Sequence, residues 1–128
     1  MLDYVRVNLN PKGVRTNDCV IRAIAEASGR PYEEVWKDLS ELTLRTGYMP
    51  NDPENYEPYL EQIGFIKYKK PFKPSGRTFM ACEADGFLRG KHAILRLAHH
   101  LVAVDDDRLV DTWDSGEKSV YCYWVIAR

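Results

Sequence analysis

The chain has 128 residues, of which 45% are hydrophobic and 29% charged, ordinary proportions for one globular domain able to bury a core without disulfides or a structural metal. Lys and Arg total 18 against 19 Asp and Glu, a formal net charge of −1, which excludes a whole-protein basic field for nucleic acid and leaves room only for a local patch. No run approaches the roughly 18 apolar residues that span a bilayer, and the start, MLDYVRVNLNPKG, lacks the apolar stretch of a signal peptide, so a cytoplasmic protein without membrane contact is expected.

Cysteine usage agrees with a reducing compartment. Cys19, Cys82 and Cys122 are odd in number, far apart and without a CxxC pair, so they are read as free thiols rather than as zinc ligands or a redox couple.

In chain order, Thr16, Asn17 and Asp18 are three successive helix-capping residues, followed by the helical segment CVIRAIAEAS and closed by Gly29. Val20, Ile21, Ile24 and Ala27 share its inner face. Pro31 opens a second helix, YEEVWKDLSELTLRT, which Gly47 ends and whose apolar stripe is Tyr32, Val35, Leu39 and Leu42. The turn-rich MPNDPEN leads to a third helix near YEPYLEQI, stopped at Gly64. FIKYKK then reads as a strand, KPFKPSGR as a loop and TFMACEAD as a short helix.

After Gly90, four segments rich in β-branched and aromatic residues follow: KHAILRLA, HLVAVDD, RLVDTWD and KSVYCYWVIA. Their polar connectors predict an antiparallel meander. Helices first and antiparallel strands second make a single α+β domain over residues 1–128. The first helix should pack on that sheet with Cys19 facing it.

Cys19 stands at the start of the first helix. Unpaired backbone N–H groups and the positive end of the helix dipole favour a thiolate there. Cys82 lacks this setting, and Cys122 alternates with Val120 and Trp124 as a core strand residue would.

A thiolate nucleophile needs a base, and there are only three histidines, His92, His99 and His100. His92 has no acid near it in sequence. With Asp106 and Asp107 as the hairpin loop, Asp105 opposes Arg108, which places His100 opposite Trp113 with Asp111 diagonal on the same side. His99 then faces Asp114 on the other side. A four-residue loop keeps these pairings and an odd loop exchanges the faces, so hairpin geometry alone leaves both histidine–acid pairs open. Adjacent strand residues point to opposite faces, which argues against a metal shared by His99 and His100. No cofactor is expected.

The stretches NDCVIRAIAEASG, PYEEVWKDL and HHLVAVDDDRLVDTWD resemble the small papain-like cysteine peptidases, including the double-glycine peptidase group and related phage and bacterial proteins. The likeness is carried by the cysteine helix and the strands at the end of the chain, and is loose in between. It implies a papain-like fold with N-terminal helices on a C-terminal antiparallel sheet. It also implies Cys19 as nucleophile, His100 as general base and Asp111 as the acid that orients it, acting on a peptide or isopeptide bond of a peptide or protein substrate. In that family an oxyanion-hole Gln precedes the cysteine. Here the stretch is NPKGVRTND, with Gly13 six residues upstream and no glutamine, so Asn17 is the nearest replacement and Asn10 a more distant one. Trp113 and Tyr123 are candidate walls of the cleft.

Two other readings compete. One is a papain-fold module that binds a partner without catalysis. The other is single-stranded nucleic-acid binding through the segment from Lys67 to Arg77, where Lys67, Lys69, Lys70, Lys73 and Arg77 interleave with aromatic residues. The negative total charge disfavours the second.

Overall fold

The computed structural model describes residues 1–128 and is α+β. Strand β1 (Asp3–Arg6) precedes helices α1 (Cys19–Ser28), α2 (Tyr32–Thr46) and α3 (Pro53–Gln62). Strand β2 (Ile66–Tyr68) follows, then a 3-10 turn over Ala81–Glu83 and the one-turn helix α4 (Asp85–Leu88). Strands β3 (His92–Leu97), β4 (His100–Asp105), β5 (Arg108–Asp111) and β6 (Cys122–Ile126) complete the chain. No helix is long and apolar enough to cross a membrane.

Helices α1 and α2 occupy the segments expected of them, because their stop signals are local. Gly29 and Gly47 take φ of +75° and +83°, the left-handed conformation that glycine adopts without a Cβ clash. Helix α3 begins a turn earlier than YEPYLEQI, at Pro53, where a fixed φ and a missing N–H suit the first helical position.

The sheet departs from the expected meander. Its order is β1-β5-β4-β3-β6-β2, and β1 runs parallel to β5 while every other pair is antiparallel. Only β3, β4 and β5 form a meander. Strand β6 returns to the far side of β3, because the connection before it crosses the sheet and is tied down on the other side. The Val120 amide donates to the Phe79 carbonyl at 2.9 Å, and the Cys82 amide donates to the Gly116 carbonyl at 2.9 Å. Strand β1 is a half-exposed edge of four residues with no buried side chain, so no hydrophobic pattern announces it.

Side chains leave the sheet on both faces, and each face has its own core. On one, α1, α2 and α3 pack Ile24, Val35, Leu39 and Leu60 against Ile94, Ala103 and Trp124. On the other, Leu2, Ala81, Ala84 and Leu88 cover Leu95, Val102, Val104 and Leu109. The first core fixes α1 across the sheet and so sets where its N-terminal residue lies.

Ile24 is fully buried at the centre of that packing, whereas Leu44 on the outer face of α2 is 87% exposed. Ile24→Ala should therefore cost about 2–5 kcal/mol in urea unfolding, while Leu44→Ala should stay within about 0.5 kcal/mol of the parent.

Candidate active site

Cys19 is the first residue of α1, half-buried. The first amides of a helix have no intrahelical acceptor, and the Asp18 side chain does not cap them. Asp18 is buried and turned elsewhere: its Oδ1 accepts from Arg22 Nε at 2.8 Å and its Oδ2 accepts from the Tyr32 hydroxyl at 2.8 Å. Asn10 Nδ2 is the carboxylate's third donor, reaching Oδ2 at 3.2 Å.

Arg22 carries the network across to the sheet. Its NH1 donates to Asp111 Oδ1 at 2.7 Å, and the Thr112 amide donates to the same oxygen at 2.7 Å. The other carboxylate oxygen, Oδ2, lies 2.5 Å from His100 Nε2. This arrangement leaves Nδ1 as the ring nitrogen free to face the thiol. The β4–β5 ladder has the predicted register, Asp105 opposite Arg108 through Ala103 opposite Val110. Asp106 and Asp107 supply the two positive φ angles that a two-residue hairpin turn requires.

The charges are strongly coupled. Burial pushes the Cys19 thiol upward, but the hydrogen bond from His100, the Leu101 backbone amide, and the charges of His100 and Arg22 outweigh it and lower its pKa. Burial likewise works against a charged His100, and the hydrogen bonds with Asp111 and Cys19 reverse that effect, raising His100 to about 9. Asp111 resists protonation despite burial, because His100 and Arg22 both donate to it. Burial raises the thiols of Cys82 and Cys122 instead, so Cys19 alone of the three is shifted toward thiolate.

Two grooves flank the thiol, both lined by Cys19, His99 and His100. One runs toward α3 and Tyr121, the other along the loop before α1 to Trp113. The Trp113 ring lies 4.8 Å from the His100 ring, tilted by 44°. Asn17 is exposed on the second groove, and its side chain has no hydrogen bond within the chain.

Other candidates fall outside this constellation. Asn10 is committed to Asp18, Tyr32 and the Lys12 amide, which removes it as an oxyanion donor. His99 does not open a strand: the pairing of Leu97 with His100 puts it in the turn, at φ +53° and exposed. Its expected partner Asp114 accepts instead from the Gly116 amide at 2.9 Å, so the His99–Asp114 alternative is not formed. His92 binds Asp105 at 2.6 Å, remote in sequence but adjacent across the β3–β4 hairpin. Tyr123 does not wall the cleft, because its ring stacks on Tyr68 at 5.1 Å beside Phe87 on the other core. In the basic segment, Lys67 and Lys73 are paired with Glu57 and Glu83, which neutralises two of its five cations. No group of three or more His, Cys, Asp or Glu side chains is placed to hold a metal ion.

Arg22 went unread in the sequence, and Tyr32 was read only as part of an apolar stripe, whereas its hydroxyl donates to Asp18. The signal was the acid–arginine spacing of i, i+4 at a helix start, which on a surface helix is an ordinary exposed pair.

No protein-family model, curated protein or solved structure matches the chain.

Arg22 holds two carboxylates that are 4% and 2% exposed. Arg22→Met should therefore lower stability by about 3–5 kcal/mol in chemical denaturation, the range for breaking a buried ion pair, here one that leaves Asp18 without a cationic partner.

Proposed function

We propose that the chain is a thiol hydrolase of the cysteine-peptidase type, with Cys19 as nucleophile, His100 as general acid–base and Asp111 as the group that orients the imidazole. The observation that carries the reading is the contact of 2.5 Å between His100 Nε2 and Asp111 Oδ2, with the lowered Cys19 thiol on the remaining side of the ring. The resemblance of the cysteine helix and of the His100–Asp111 hairpin to papain-like peptidases agrees with it.

The chemistry follows from the charges. The resting pair is thiolate and imidazolium. The thiolate attacks the carbonyl carbon, and the oxygen that gains the electron pair is met by the uncapped Cys19 amide and the Asn17 side chain. His100 gives its proton to the departing amine, leaving a thioester on Cys19. His100 then takes a proton from water, the hydroxide attacks the thioester, and sulfur leaves as the thiolate while the carboxylic acid departs, which restores the thiolate–imidazolium pair. Asp111 holds the tautomer and stabilises the cation without itself taking the proton.

The sign of the pH dependence is fixed by two shifts. Activity needs ionised Cys19, whose pKa is lowered, and protonated His100, whose pKa is about 9. A hydrolysis rate should therefore rise at a pH below the ordinary thiol range and fall as pH passes about 9.

Alkylation tests the nucleophile without a known substrate. At about pH 6 an ordinary thiol is less than about 1% ionised, so iodoacetamide should label Cys19 well ahead of Cys82 and Cys122. His100→Ala should move the midpoint pH of that rate upward and Asp111→Asn should do so less strongly, while His99→Ala should leave it in place. Slow and equal labelling of the three cysteines would instead favour a binding module without catalysis.

A further inference from the structure

We infer that the groove on the α3 side of Cys19 takes a carboxylate of the substrate, held by Arg96. The inference rests on the thiol-hydrolase reading and names the substrate chemistry of that same site.

Arg96 lies on β3 directly opposite Leu101 on β4. Opposed residues project from the same face with backbones about 5 Å apart, and the Leu101 amide is itself a neighbour of the Cys19 thiol. Arg96 therefore stands one strand away from the reacting sulfur, in a groove of about 420 Å³ that both of them line.

The guanidinium is half-buried and makes no ion pair with any carboxylate of the chain. No Asp or Glu lines this groove, although the chain carries 19 of them. The groove on the opposite side of Cys19 differs: its arginine, Arg22, is already paired with Asp18 and Asp111. At the mouth, Tyr121 is bound through its amide to the Arg96 carbonyl at 2.8 Å, and Lys70 lies 5.2 Å over the Tyr121 ring. Lys70 also has no carboxylate partner, so a second free cation stands over the entrance. The one side-chain neighbour of Arg96 by hydrogen bond is the Cys122 thiol, and a planar guanidinium with no carboxylate on its fork is suited to two parallel hydrogen bonds with one.

The carboxylate can come from an acidic side chain or from a free chain end, and three N-chloroacetyl dipeptides separate these sources. One ends in glutamine amide, one in glutamate amide and one in glutamine with a free carboxylate. Their rates of Cys19 modification are compared by mass spectrometry of the intact, folded chain. At least one acidic probe should react about tenfold or more faster than the neutral probe, the range for a charge-assisted hydrogen bond, and the faster of the two identifies the source. Arg96→Gln should bring that rate down toward the neutral one, and Arg96→Lys should keep part of the preference. Should Arg96→Gln fail to fold, added salt should shrink the acidic preference of the parent protein by screening the contact. Equal rates for all three probes on a Cys19 that still outruns Cys82 and Cys122 would overturn the carboxylate site alone. A Cys19 no more reactive than the other two toward the neutral probe would overturn the nucleophile and this inference with it.

Discussion

The guanidinium of Arg22 is the contact on which the arrangement of the site depends. It lies between two buried carboxylates, Asp18 at the start of α1 and Asp111 at the end of β5, at 2.8 and 2.7 Å. Without it Asp18 would be a buried charge with only neutral donors, facing a desolvation cost of several kcal/mol, and Asp111 would keep only His100 as a cationic partner. Because Arg22 is on α1 and Asp111 on the sheet, satisfying both acids fixes how the helix start meets the strand end. That meeting brings Cys19, one residue after Asp18, to the His100 imidazole.

The charges alternate along the network. Asp18, Arg22, Asp111, His100 and Cys19 run acid, base, acid, base, acid, so every member has a hydrogen-bonded neighbour of the opposite kind. Burial opposes the charged form of His100, Asp111 and Cys19, and in each case a hydrogen bond to a charged partner overcomes it. The same burial acts on Cys82 and Cys122 without such partners and drives them the other way. What distinguishes Cys19 is the company of His100 and Arg22 as much as the helix end it occupies. The uncapped amides at that end are available because Asp18 is engaged with Arg22, Tyr32 and Asn10 rather than with the helix backbone.

Locally encoded features were legible in the sequence. The limits of α1 and α2 follow from amphipathic spacing and from glycines that must adopt positive φ, and the β4–β5 register follows from a two-residue loop between strands of clear composition. The arithmetic of that hairpin placed His100 and Asp111 within reach of each other. Features that depend on distant partners were not legible. Strand β1 exists because β5 offers an edge, and nothing in Asp3–Arg6 shows which edge it joins. Strand β6 joins β3 because a connection is pinned by residues near Phe79 and Cys82. The position of His99 turned on a single residue, since β4 starts at His100 and leaves His99 in the turn before it. Arg22 reads as a solvated helix residue until Asp111 is known to lie 89 positions further along and against it.

The proposed chemistry requires His100 to be an imidazolium held between Asp111 and a Cys19 thiolate. Its protonation can be followed directly by NMR of the imidazole carbon and nitrogen resonances across pH in the folded protein. The ring should remain protonated through neutral pH and titrate near 9, with Cys19→Ser shifting that value downward because one of its anionic partners is gone. A His100 that titrates near 6.5, the ordinary value for histidine, and is indifferent to Cys19→Ser would contradict the ion pair and the chemistry built on it.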